Sequence, residues 1–132
     1  MLTDRDVPYR RVLAWSLRAL FLVIFAVCCY FILRQTPTQN IFENSDKYFH
    51  GAAFFGMVIL AYVAAMNNRK LFLSFLTAIF LLAAFSELLQ TSSLLPMRTG
   101  SSGDLLSDIF GFFAGLFIVG FLSFCLFNKV NR

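Results

Sequence analysis

Four apolar runs separated by short polar stretches set the layout of the chain, over about residues 12–33, 47–66, 71–90 and 104–127. A helix rises ~1.5 Å per residue, so crossing ~30 Å of hydrocarbon takes about 20 residues, and each run is long enough. The pattern predicts an all-α, polytopic membrane protein: a four-transmembrane-helix bundle forming a single domain over residues 1–132. The turn MNNRK is so short that the second and third helices must be antiparallel neighbours. Gly51, Ala52, Ala53 and Gly56 thin the second helix, and small residues permit close approach, so this helix is expected at the centre. The first run is as long as a full span and lacks a convincing small-residue cleavage site, so it reads as a helix rather than a signal peptide.

Composition agrees with the pattern. A content of 59% hydrophobic and 14% charged residues is too apolar for a soluble domain of 132 residues. The net charge of +4 is too diffuse to hold nucleic acid, and it is better read as orientation. Arg5, Arg10 and Arg11 precede the first helix, Arg69 and Lys70 fill the short turn, and Lys129 and Arg132 follow the last helix. The other side holds Arg34, Lys47 and Arg98, so the positive-inside rule predicts that both termini are cytoplasmic. Arg18 lies only ~10 Å past Arg11 along a helix, close enough for its stem to carry the guanidinium back to the headgroups. Cys28, Cys29 and Cys125 fall within apolar runs and read as buried thiols rather than a disulfide or metal site.

The charged residues that topology does not use collect at the opposite, outer side. Asp46 and His50 stand four apart on one face of the second helix. Asp46 fits either a dipole or capping role or a place in a site, whereas an imidazole just inside hydrocarbon needs partners. Glu87 sits 16 residues from Leu71 and His50 sits 16 residues from Met66, which places both ~24 Å from the inner surface and predicts that they pair. The helix dipole does not account for Glu87, because it lies near a C-terminal end. Gln90 follows on the same face. Arg98, in a loop with glycines and hydroxyl residues, offers a donor fork for a carboxylate or a phosphate. Asp104 and Asp108 open the last helix four apart, and Gly111 and Gly115 continue their stripe. Asp104 suits a helix N-terminus, while Asp108 is a turn deeper and is expected to face His50 or Lys47.

These segments, SDKYFHGAAFF, SELLQ and PMRTGSSGDLLSDIFGFFAG, resemble the signature segments of the VanZ-like family of small integral membrane proteins. That family pairs Asp-Lys with a His three residues after the Lys, then Glu and Gln three apart, an Arg, an Asp six residues later and two glycines in the following helix. Asp46, Lys47, His50, Glu87, Gln90, Arg98, Asp104, Gly111 and Gly115 fall on those positions. Asp108 stands where the family more often has Asn, and the connection from Gln90 to Arg98 is longer than usual. The resemblance implies a protein of the bacterial cytoplasmic (inner) membrane, linked to glycopeptide resistance, teicoplanin in particular. Membrane lipids, a lipid-linked cell-wall precursor or a glycopeptide are the partners it implies.

Two functions fit this outer cluster. In one, a binding site that includes Asp46, Lys47, Gln90, Arg98 and Asp104, the cations Lys47, His50 and Arg98 hold the phosphate of a cell-envelope lipid headgroup while the carboxylates hold those cations and fix their geometry. In the other, His50, Glu87 and Asp108 are catalytic residues of a membrane-embedded hydrolase or transferase acting on an envelope lipid. The acids suit a divalent metal in type, but no tight ligand spacing assigns one, and the sequence assigns no cofactor. Transport would need polar residues throughout the span, and the inner halves of the last three helices have almost none.

Overall fold

The computed structural model describes residues 6–33, 45–66, 68–91 and 102–130. Arg98 and the side chains of Asp46, Glu87 and Gln90 lie outside the described residues. Four helices account for the rest: α1 (Asp6–Leu33), α2 (Ser45–Ala65), α3 (Arg69–Thr91) and α4 (Ser102–Val130). All four are long and apolar enough to cross a membrane. The helices follow the apolar runs but exceed them, most clearly at the start of α1. Backbone hydrogen bonding continues past the point where hydropathy falls, and Pro8 is tolerated because first-turn amides have no intrahelical partner.

As its small residues predict, α2 is central: it packs on α1, α3 and most extensively on α4, whereas α1 and α4 do not touch among the described residues. Two contacts anchor the end of α2. Arg18, near the middle of α1, donates from Nε to the Ala64 carbonyl at 3.4 Å. The Ser123 hydroxyl of α4 pairs with the Tyr62 hydroxyl at 3.0 Å, so α2 and α4 run parallel. Arg18 therefore ends on one of the C-terminal carbonyls of α2, with its guanidinium 5.3 Å from the Trp15 ring centre.

The core lies along α2 and joins Phe54, Met57, Val58 and Ala61 to Phe21 of α1, Ile79 and Ala83 of α3 and Val119 of α4. The Phe21 and Phe75 rings lie tilted against each other with centroids 4.2 Å apart, which ties α1 to α3. At the α2–α3 turn Met66 takes a left-handed φ of 49°, and the Asn68 side chain accepts the Leu71 amide at 3.1 Å as the cap of α3. The short connection thus holds the two helices in a fixed register. Outside the core, large apolar side chains cover the surface of every helix, as expected of helices solvated by hydrocarbon. Cys28, Cys29 and Cys125 are free thiols; the first two are half-buried, and Cys125 is exposed rather than buried.

Candidate functional site at the α2–α4 seam

The starts of α2 and α4 lie side by side, and backbone contact sets their separation. A Cβ on Gly111 would overlap the Gly51 carbonyl oxygen and come within 2.8 Å of its carbon. One turn further along α4, a Cβ on Gly115 would meet Val58 Cβ at 2.8 Å and the Phe55 carbonyl at 3.1 Å. From the other side, Gly51 faces the Ser107 carbonyl at 3.3 Å from its own ideal Cβ. The glycine stripe of α4 therefore has a physical function: any side chain at Gly111 would push the two helices apart. Gly56 and Gly120, by contrast, meet nothing within 4 Å.

This close approach brings one acid against one base. Asp108 lies on the Gly111–Gly115 stripe and is only 1% exposed. Its Oδ1 stands 3.0 Å from His50 Nδ1, across the α2–α4 seam. The contact holds the imidazole by Nδ1 and fixes the ring orientation. His50 retains 17% side-chain exposure, so the pair runs from the dry interior to the rim. The expectation that Asp108 faces His50 or Lys47 resolves in favour of His50.

Asp104, one turn above Asp108, sits in the first turn of α4, where a carboxylate complements the helix dipole. It is half-buried, and its Oδ1 is shielded from solvent. Lys47, also half-buried, stands at the upper end of a groove of about 810 Å³ between α2 and α4. Tyr48, Phe55 and Phe110 flank the groove, and Gly51 and Gly111 lie within it. Nothing in the sequence pattern singles out this groove, because it depends on how two helices sit laterally. Ser107 also lines it, with its hydroxyl donating to the Gly103 carbonyl at 2.9 Å.

The remaining expected site residues are placed by backbone alone. Asp46 is the second residue of α2, and Glu87 and Gln90 belong to the last turns of α3. Glu87 is four residues beyond the buried Ala83, but its expected pairing with His50 falls outside the described residues, as does Arg98. Among the described residues, no group of three or more His, Cys, Asp and Glu could hold a metal ion. The arrangement orients an imidazole against a buried carboxylate, with Lys47 about one turn before His50 on α2, and leaves a largely apolar groove between α2 and α4 whose described lining includes Lys47 but neither His50 nor Asp108. No protein-family model, curated protein or solved structure matches the chain.

Proposed function

We propose that the protein is a multi-pass protein of the bacterial cytoplasmic membrane, with both termini cytoplasmic, that binds the headgroup of a cell-envelope lipid at the outer end of its bundle. The observation that carries this reading is the His50–Asp108 contact beside Lys47. A buried carboxylate holds an imidazole at the rim, and Lys47 precedes it by three residues, about one turn, on α2; together they are donors suited to a lipid phosphate or phosphate-linked precursor. The motif order that resembles VanZ-like proteins supports the same reading, and with it the link to glycopeptides such as teicoplanin. Arg98, in the loop that leads into α4, would add the fork of donors that a phosphate prefers.

Binding stabilises whatever it binds, so added phospholipid is expected to raise the melting temperature of the detergent-purified protein in a saturable way. The increment should shrink or vanish in His50→Ala, measured against that variant's own lipid-free melting point. An equal increment in wild type and variant would remove His50 from the site. The topology has a separate test. With Cys28, Cys29 and Cys125 replaced, Ser101→Cys is expected to react with a membrane-impermeant thiol reagent added outside intact cells. Labelling only after the cytoplasm is opened would invert the proposed orientation.

The same contact also suits a second reading, a hydrolase or transferase in which His50 is the general base and Asp108 its positioning residue. Loss of lipid turnover in Asp108→Asn, with lipid binding intact, would favour this enzyme over the binding protein. Glu87→Gln would test its neighbour in the sequence-derived site by the same assay.

A further inference from the structure

From the groove beside the α2–α4 seam we infer that the bound lipid lays one acyl chain along the protein, making the occupant a phospholipid held by both head and tail; this rests on the headgroup reading. The groove exists because residues along its base are small: Gly51 and Ala52 of α2 and Gly111 and Ala114 of α4. Aromatic rings rise on both flanks, with Tyr48 70% and Phe110 76% exposed. A side chain from either helix would fill this space, and none does. Along α2 the groove runs from Lys47 to Phe55, and along α4 from Leu106 to Ala114, ~12 Å in each case at the rise of a helix. That length is close to half of ~30 Å of hydrocarbon, the depth of one leaflet. Among the described residues lining it, Lys47 at its upper end is the only charged one, and its lower end is apolar. An apolar trough one leaflet deep with a cation at its mouth complements an amphiphile with a phosphate above a chain of matching length.

Native mass spectrometry of the full-length protein in detergent tests this directly, with phosphatidylglycerol and a diacylglycerol of the same chains as probes. Wild type is expected to retain one phosphatidylglycerol, and Ala52→Phe with Ala114→Phe, which fills the trough, to lower retention about tenfold or more. Both alanines lie away from the buried core, and an unchanged circular dichroism melt is required of the variant. A phosphatidylglycerol carrying a photoactivatable group in its acyl chain gives a second readout, expected to label peptides spanning 47–55 and 106–114. Equal retention by the filled variant, or labelling spread evenly over α1 and α3, overturns the groove while leaving the headgroup reading intact. If diacylglycerol is held as well as phosphatidylglycerol and is lost on filling, the headgroup reading fails and the groove stands. Preference for an isoprenyl phosphate over phosphatidylglycerol overturns the acyl-chain assignment.

Discussion

Replacing Gly111 with alanine is expected to be the most damaging single change of one methyl group in this protein. The new Cβ would overlap the Gly51 carbonyl oxygen, a backbone atom that cannot rotate away. The helices must then separate, which loosens the contact between Val58 and Gly115 and lengthens the path from His50 to Asp108. Overpacking of this kind costs ~1–3 kcal/mol and occasionally more, against a gain of up to ~1 kcal/mol from the better helix propensity of alanine. The overlap should win because the obstacle is backbone. Gly120→Ala is the matched control, since nothing lies within 4 Å of its added Cβ and only the propensity gain remains. Unfolding followed by circular dichroism during titration with a denaturing detergent reads both variants. A Gly111→Ala protein as stable as Gly120→Ala would show that the helices are not held at backbone distance.

The second large effect concerns the polar pair. Removing either His50 or Asp108 breaks the contact across the seam, and losing the partner of a buried polar group such as Asp108 costs ~1–3 kcal/mol. Asp108→Ala and His50→Ala are therefore each expected to destabilise the bundle by an amount in that range. Hydrogen bonds between membrane helices average only about 0.6 kcal/mol and reach ~1.7, so the smaller half of the range is the better expectation in lipid. The double variant should cost less than the two singles together, because both single changes lose the same contact. A coupling of at least ~0.5 kcal/mol in the four-protein cycle is the predicted result. Additive losses would mean that the two side chains act independently despite the 3.0 Å contact.

Several of these features can be read along the chain. The lengths of the apolar runs yield four helices, and the small residues of α2 point to its central place. Asp108, Gly111 and Gly115 share a stripe at helical spacing, so once α4 turns its glycines inward, Asp108 must turn inward with them. What escapes a one-dimensional reading depends on partners that leave no mark in sequence. The acceptor for Arg18 is a backbone carbonyl, which every residue carries. The groove follows from the lateral offset of two parallel helices, and Gly51 and Gly56, alike in sequence, turn out differently: one is pressed against α4 and the other meets open space. Depth along a helix predicted His50 with Glu87. That pairing lies outside the described residues, and the contact described across the seam is the one expected from the α4 stripe, with Asp108.

The chain contains one histidine, so selective ¹⁵N labelling reports on His50 alone. The most direct test of a lipid site at the Asp108-held imidazole is the ¹⁵N spectrum of His50 during titration with phosphatidylglycerol in micelles. The predicted result is a saturable shift of the Nε2 resonance that the matching diacylglycerol does not produce, and that is absent in Asp108→Ala. An Nε2 resonance unmoved by phosphatidylglycerol at every concentration, in a protein whose helices remain folded, would contradict the account.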